Sequence, residues 1–406
     1  MPAPRFNPFH ALRHRNFRLF FFGQGTSLVG TWMQNIAQGW LVLELTNSPF
    51  YVGLVSALGS LPILLVSLPA GVYVDRLNKH RLIILTQTLS LLQALALAIL
   101  IWTHRIALWQ VAVVALFLGT VNAFDTPARQ AFMVELVGKD DLMNAIALNS
   151  SAFNTARVVG PSVAGLLIAA VGLAWCYFLN AVSYIAVIWG LWEMRLPPFL
   201  RPERTGDGWE QFREGARFVR HERRVLALVT NMGVISIFGY PVLVLLPVFA
   251  RDVLRIGASG LGFMMAVTGI GAVVAALALA AFGPRVRKGA ILRWSGPVFG
   301  AAIALFALTR SVPLVLVILP VAGGAMILNT AVSNTLIQTL APDSLRGRVM
   351  GFYAFVFLGM APFGALQAGW LAEQLGAPAA VVIGGSICVV ASLVMWRRVP
   401  EVPLLK

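Results

Sequence analysis

The run YVGLVSALGSLPILLVSLPAGVYV, residues 51–74, carries no charged side chain and is followed directly by DRLNKHR, residues 75–81. An α-helix rises about 1.5 Å per residue, so about 20 apolar residues cross a hydrocarbon core of about 30 Å. We therefore predict that this run crosses a membrane once. Residues 75–81 are expected at the charged surface where the helix emerges.

The rest of the chain repeats this pattern of long apolar runs joined by short polar segments. Of its 406 residues 58% are hydrophobic and 12% are charged, whereas soluble globular chains carry about 25% charged residues. We predict an all-α membrane protein with twelve transmembrane helices in two six-helix bundles. The predicted spans are residues 19–43, 51–74, 82–103, 106–124, 142–172, 174–192, 225–250, 256–282, 289–309, 311–337, 349–372 and 377–396.

The distribution of basic residues predicts the orientation of these spans. With both termini inside, the inner segments hold 26 of the 31 Lys and Arg residues, and the outer segments hold only Arg105, Arg251, Arg255 and Arg310. Basic residues near span ends stay cytoplasmic, so we expect an N-in, C-in topology. The net charge of +15 then reflects topology, and a nucleic-acid partner is disfavoured.

The chain also predicts two similar halves. The stretch from Asp140 to Gly172 recurs about 204 positions later, from Asp343 to Gly376, as in transporters built from parallel repeats. We place an N-terminal bundle at residues 1–193, a cytoplasmic linker at 194–224 and a C-terminal bundle at 225–406.

The linker contains apolar residues at helical spacing, namely Trp209, Phe212, Ala216 and Val219, with Arg213, Arg217 and Arg220 among them. This pattern predicts an amphipathic helix. It either lies on anionic lipid or forms a solvated connection.

The segment Gly71 to Arg81, with its acid at Asp75, resembles the loop signature of the major facilitator superfamily, and the twelve-span layout and repeated halves match that superfamily too. The resemblance implies that Asp75 lies at the positive N-terminal end of the eleventh helix, near Val349. It also implies that Asp125 pairs with the basic cluster around Arg76 and Arg81, which latches the bundles in the outward-facing state. The predicted gating residues are Gly71, Asp75, Arg76, Arg81, Asp125 and Arg129. The alternative is that these charges serve topology alone.

The fifth span contains RVVGPSVAG, residues 157–165, in which Gly160, Pro161 and Gly165 predict a helix bend with a closely packed neighbour. Together with residues 7–9, 13–18, 32–34 and 125–130, this stretch resembles the enterobactin-exporter branch, which includes macrolide-efflux relatives. The branch implies proton-driven export of siderophores or hydrophobic drugs across the bacterial inner membrane.

Charged and polar side chains inside predicted spans are candidates for substrate binding or coupling, because burying them in hydrocarbon is costly. Arg157 can receive an anionic substrate or a protonatable partner, or it can pair with backbone carbonyls near Pro161. Glu44 is a candidate proton carrier or an outer boundary charge. The uncharged candidates are Gln34, Asn35, Gln38, Asn154, Asn231, Asn329 and Asn334.

The sequence contains no phosphate-binding loop, metal-ligand spacing or nucleophile elbow, so we expect neither an enzyme nor a bound cofactor or metal. The predicted function is secondary active export of small amphiphilic organic molecules by a monomer, with protons and membrane lipid as further partners. The alternatives are a lipid or lysolipid translocase and a non-transporting membrane sensor.

Overall fold

The computed structural model describes residues 9–197 and 208–405, which form α-helices joined by short connections. The α-helices within these ranges are α1 (Arg15–Thr46), α2 (Pro49–Arg76), α3 (Lys79–Trp102), α4 (Leu108–Val137), α5 (Leu142–Ala170), α6 (Leu173–Trp192), α7 (Gly208–His221), α8 (Arg223–Val234), α9 (Val242–Val248), α10 (Gly257–Phe282), α11 (Lys288–Leu308), α12 (Val312–Leu340), α13 (Arg346–Gly359), α14 (Ala361–Leu375) and α15 (Ala377–Arg398).

Eleven segments within the described ranges are long and apolar enough to cross a membrane. Two of them combine several helices: Arg223–Val253 holds α8 and α9, and Arg346–Leu375 holds α13 and α14. Although α1 is 32 residues long, it is not among the eleven. Polar residues at Gln24, Gln34, Asn35 and Gln38 lower its hydropathy. The count of twelve spans therefore stays a prediction.

The chain separates into two compact units, and three helices are divided between them. Unit 1 comprises Met1–Ala37, Val66–Ile106 and Thr120–Arg204, and unit 2 comprises Gln38–Leu65, Ala107–Gly119 and Thr205–Lys406. The last turns of α1, the first half of α2 and the start of α4 thus pack with helices from the second half of the chain. The predicted bundle boundaries near residues 193 and 225 stay a prediction.

Each unit has its own apolar core, formed where helix faces meet. The core of unit 1 includes Phe17, Ile83, Phe132 and Leu191, all at most 1% exposed. The core of unit 2 includes Val225, Leu228, Leu292, Leu336 and Val349, which are also at most 1% exposed. Burying large side chains of this kind contributes about 1.5–3 kcal/mol each in water, and in lipid the same contacts act through close packing instead.

The linker helix α7 packs on α13 within unit 2. Val219 is 1% exposed, and the Phe212 ring contacts Phe352 and Phe355 at centroid distances of 5.4 and 5.2 Å. Gly215 permits this approach, because a Cβ there would lie 2.4 Å from the Arg348 carbonyl oxygen. Part of the apolar face of α7 is therefore covered by protein, whereas Trp209 is 55% exposed. Whether the remaining face meets lipid or solvent stays a prediction.

Two π-helical segments, Ile235–Gly239 and Phe249–Val253, interrupt the span that begins with α8. Such wide turns appear often at functional sites, because they displace side chains from the regular helical register. The first segment directly precedes Tyr240.

Candidate transport site

The middle of unit 1 carries a guanidinium group over an aromatic ring, and that ring contacts a second one. The Arg157 guanidinium carbon lies 5.8 Å from the centroid of the Trp32 ring, and the Trp32 and Phe153 rings meet edge to face at 5.7 Å. A cation over an indole face is attracted by the ring quadrupole, by about 0.5–2 kcal/mol depending on solvation. We call Arg157, Trp32 and Phe153 the guanidinium–aromatic patch.

A glycine brings the two helices of this patch together. A Cβ on Gly160 would lie 2.6 Å from the Trp32 Cβ and 2.8 Å from the Val29 carbonyl oxygen, so only glycine fits. The close packing predicted for Gly160 is therefore confirmed. α5 continues as one α-helix through Pro161 to Ala170. The bend predicted at Gly160, Pro161 and Gly165 stays a prediction.

The patch lies far from the ends of both helices. Arg157 is 15 residues from the start of α5 and 13 from its end, which corresponds to roughly 22 and 20 Å along the axis. Phe153 is 45% exposed and Asn35 is exposed, while Arg157, Asn154 and Gln38 are partly exposed. These side chains can meet a ligand at mid-membrane depth.

Gln34 does not share this exposure. It is 2% exposed, and its amide donates to Gln93 at 3.2 Å and accepts from Asn180 at 2.6 Å. Buried polar groups of this kind cost free energy unless they are hydrogen-bonded. The pairing ties α1 to α3 and α6, so Gln34 is a packing residue in this structure. Neither Gln93 nor Asn180 is among the site residues that the sequence predicts, because one sequence does not show which spans are neighbours.

Two of the predicted asparagines of unit 2 are buried as well. Asn231 accepts from the Ser392 hydroxyl at 3.2 Å, and Asn329 donates to the Ser295 hydroxyl at 3.3 Å. Both asparagines are at most 3% exposed. Asn334 is partly exposed and accepts from Gln338 at 2.6 Å.

A second aromatic surface lies in unit 2, beside the π-helical segment. The Tyr240 and Thr330 hydroxyls are hydrogen-bonded at 2.6 Å, and the Tyr240 ring contacts Phe357 at 5.4 Å and Phe299 at 6.1 Å. Tyr240, Thr330 and Phe357 are all partly exposed. They offer a wall of rings with one hydroxyl pair, suited to an amphiphilic ligand.

The predicted gating acid Asp125 has partners other than those implied by the family resemblance. It is 2% exposed, forms an ion pair with Arg129 and accepts hydrogen bonds from Thr86 and Gln87. Arg129, itself a predicted gating residue, holds the acid from one turn away on the same helix.

Arg76 and Arg81, the expected partners of Asp125, are exposed in this structure. Within the described part of this loop, Lys79 forms an ion pair with Glu135 at 2.9 Å. Gly71 and Asp75 are in α2, but their surroundings lie outside the part that the structure describes.

Glu44 lies two residues before the end of α1 and is exposed. Its carboxylate accepts a hydrogen bond of 2.6 Å from the Trp40 indole nitrogen on the same helix.

Outside the spans, one acid anchors the N-terminal segment of unit 1. Asp141 accepts from His14 at 2.7 Å, from Arg13 at 2.8 Å and from His10 at 2.9 Å. The hydrogen bonds from His14 and His10, aided by the charge of Arg13, lower the pKa of Asp141 to about 2. This contact fastens residues 10–14 to the start of α5.

The profile of one protein family, described as transmembrane secretion effectors, matches residues 6–404. The chain belongs to this family. Its fold is that of major facilitator transporters, and the family and its relatives are transporters rather than enzymes.

Three relatives of this transmembrane secretion effector are named as an efflux pump, a siderophore transporter and a siderophore exporter. The multidrug efflux pump Tap of Mycolicibacterium fortuitum is 29% identical, over 88% of this chain and 89% of that pump. The staphyloferrin A transporter of Staphylococcus aureus is 25% identical, over 88% of this chain and 90% of the relative. The enterobactin exporter EntS of Escherichia coli is 25% identical, over 96% of this chain and 94% of that exporter.

Solved structures confirm the fold of this secretion effector at low sequence identity. A bacterial homologue of the lysosomal transporter Spinster aligns with a TM-score of 0.72 over 96% of both chains at 15% identity. A bacterial homologue of the iron transporter ferroportin aligns with a TM-score of 0.72, over 94% of this chain and 98% of that chain, at 15% identity. The chain is therefore a multi-pass helical membrane protein with this fold.

Proposed function

We propose that this protein exports small amphiphilic organic molecules across the bacterial inner membrane by alternating access, as a monomer driven by protons. The observation that carries the proposal is the guanidinium–aromatic patch, which lies at mid-membrane depth in a family of secretion effectors. The names of the relatives support export of siderophores or drug-like compounds.

The proposed topology places both termini in the cytoplasm. Its support is the concentration of 26 of 31 basic residues on one side of the predicted spans. In this orientation the α1–α2 connection and the end of α14 face outward, and α7 faces inward.

The patch favours substrates that carry negative charge and an aromatic or planar group. Arg157 is one of two charged side chains that lie more than ten residues from both ends of a described span. A cation at this depth attracts an anion strongly because the surroundings are weakly polarisable. Trp32 and Phe153 supply faces for stacking, and Asn35, Gln38 and Asn154 supply hydrogen-bonding groups beside the patch.

The proposed proton carrier is an acid near the end of α1. Glu44 stays the candidate because it is exposed and near the proposed outer surface. Its hydrogen bond to Trp40 gives it a defined position, and protonation would change that contact. The energy source is therefore tested directly in the transport assay.

The experiment is uptake into inside-out vesicles of a planar aromatic carboxylate, its neutral methyl ester and a lipophilic cation of similar size. We expect the carboxylate to accumulate preferentially, and accumulation to collapse when an uncoupler is added. Preferential transport of the cation would contradict the substrate preference. Equal accumulation with and without the uncoupler would contradict proton coupling.

The chain offers a matched control for the role of Arg157. The Arg293 guanidinium also lies 5.8 Å from a tryptophan centroid, that of Trp294, but Arg293 is exposed and near the start of α11. We expect Arg157→Gln to reduce uptake of the carboxylate about tenfold or more while sparing the ester, and Arg293→Gln to leave both unchanged. Equal loss with both substrates would assign Arg157 to structure instead.

A second candidate function is lipid translocation, favoured by an apolar groove on unit 1. The groove, of about 510 Å³, is lined by residues of α1, α5 and α6 that include Phe22, Val29, Met33, Val163 and Leu179. A lipid chain would fit such a surface. Reconstitution with fluorescent lysolipid separates the two functions, because translocation of the lipid without vesicle uptake of the carboxylate would favour this candidate.

A further inference from the structure

Two charged side chains from the second half of the chain bind the helix ends at the α1–α2 connection. Glu373, at the end of α14, accepts hydrogen bonds from the Ser48 hydroxyl at 2.7 Å and the Phe50 backbone N–H at 3.3 Å. Arg251 donates to the Leu43 carbonyl at 2.8 Å and to the Asn47 side chain at 2.9 Å. All of these residues belong to unit 2.

The signs of these charges match the helix ends that they touch. α2 begins at Pro49, so the Phe50 N–H belongs to its first turn, where the helix dipole is positive. α1 ends at Thr46, so the Leu43 carbonyl belongs to its last turn, where the dipole is negative. An anion therefore binds the positive end of α2, and a cation binds the negative end of α1.

The packing of α2 on α14 places Glu373 at this position. A Cβ on Gly53 would lie 2.4 Å from the Ala365 carbonyl oxygen, and one on Gly369 would lie 2.9 Å from the Gly53 Cα. The two backbones thus touch at a glycine pair, and Glu373 follows Gly369 by one turn. Asp252 holds the Arg251 guanidinium through two hydrogen bonds, of 2.7 and 3.1 Å, which limits the orientations of that group.

We propose that Glu373 and Arg251 form an outer latch, which holds α1 and α2 against the second half of the chain and must break before substrate is released outside. The outer latch is defined by Glu373 with Ser48 and Phe50, and by Arg251 with Leu43 and Asn47. It rests on the alternating access and topology of the proposed function. Both residues act on the conformational step and need not touch the substrate.

The test is the distance between spin labels on Leu45→Cys and Leu375→Cys, which are 38% and 57% exposed. The native Cys176 and Cys388 are fully buried and can remain. In purified full-length protein without substrate, the short-distance population measures the closed latch. We expect Glu373→Gln or Arg251→Gln to raise the ratio of long to short distances about three- to thirtyfold, in line with the usual strength of charge–dipole and charged hydrogen-bond contacts.

Matched controls are available for both charges. Asp343→Asn removes a carboxylate that is 90% exposed, and Arg255→Gln removes an exposed cation four residues after Arg251. Neither change is expected to alter the distances. A shift as large in the controls as in Glu373→Gln would overturn the latch, because it would report net charge alone.

A smaller change, Ser48→Ala, tests the latch in case Glu373→Gln does not fold. Ser48→Ala removes one hydrogen bond to Glu373 and is expected to shift the ratio in the same direction, with no added effect in the double variant Ser48→Ala/Glu373→Gln beyond the larger single one. Unchanged distances in both Ser48→Ala and Glu373→Gln would overturn the latch even if export were normal. Loss of export of every compound, with distances that still respond to Glu373→Gln, would overturn the proposed function and keep the latch.

Discussion

Replacing Asp125 by Asn tests whether this buried acid is a structural anchor of unit 1. Asp125 is 2% exposed and interacts with Arg129, Thr86 and Gln87. The Asn side chain keeps an oxygen that can accept the hydrogen bonds from Thr86 and Gln87. The substitution therefore mainly removes the negative charge that pairs with Arg129. Removing one partner of a fully buried pair costs about 3–5 kcal/mol. The Arg129 side chain is 21% exposed and can reach water, so we expect about 2–3 kcal/mol.

The measurement is equilibrium unfolding in mixed micelles, with the double variant Asp125→Asn/Arg129→Gln completing a mutant cycle. We expect the double variant to be about 1–2 kcal/mol more stable than the sum of the single effects, because neither charge is then left alone. The control is Asp343→Asn. Asp343 pairs with Arg346 but is 90% exposed, so its loss should cost less than about 1 kcal/mol.

Two results would refute this reasoning. One is additivity of the two single variants, which would mean that Asp125 and Arg129 do not stabilise each other. The other is an Asp125→Asn variant that is as stable as the Asp343→Asn control. If Asp125→Asn abolished export at unchanged stability, Asp125 would regain the gating role implied by the family resemblance.

Three further predictions concern packing and pH. Gly160→Ala should destabilise the protein by about 1–3 kcal/mol, because the alanine Cβ has no space beside Trp32. Thermal unfolding measures this, and an unchanged melting temperature would contradict it. Asn180→Leu should cost about 1–3 kcal/mol in the same assay, because the buried Gln34 oxygen loses its 2.6 Å donor and keeps only the longer bond of 3.4 Å from Gln93. A neutral effect would mean that the hydrogen bond from Asn180 contributes nothing. Because the pKa of Asp141 lies at about 2, below its ordinary value of 3.8, its contacts should stabilise residues 10–14 fully above about pH 4 and be lost as pH falls through about 2. Pulsed hydrogen exchange at the His14 amide measures this, and loss already at pH 5 would contradict it.

The deep position of Arg157 could be predicted from the sequence, because a charged side chain in the middle of a long apolar run must lie far from both membrane surfaces. The aromatic neighbours of Arg157 could not be predicted from the sequence. Trp32 is 125 residues away in the chain, and only the close approach of α1 and α5 at Gly160 brings its ring to the guanidinium. The same limit applies to Gln34, Asn231 and Asn329. Composition marked these side chains as polar within spans, but their burial depends on which helix faces meet.

The sequence by itself determined the helical membrane class and the approximate positions of most spans, because the length and hydropathy of each run are local properties. It also pointed to the family, through a short loop pattern and the repeat of halves. Only the tertiary structure decided which charges pair. It joined Asp125 to Arg129 rather than to Arg76 or Arg81, and it brought Glu373 to the start of α2. The physical reason is that contacts between side chains distant in the chain, such as Asp125 with Thr86 or Glu373 with Ser48, are set by helix packing. The pair of Asp125 with Arg129, four residues apart on one helix, is a local pattern, and the structure shows that it forms.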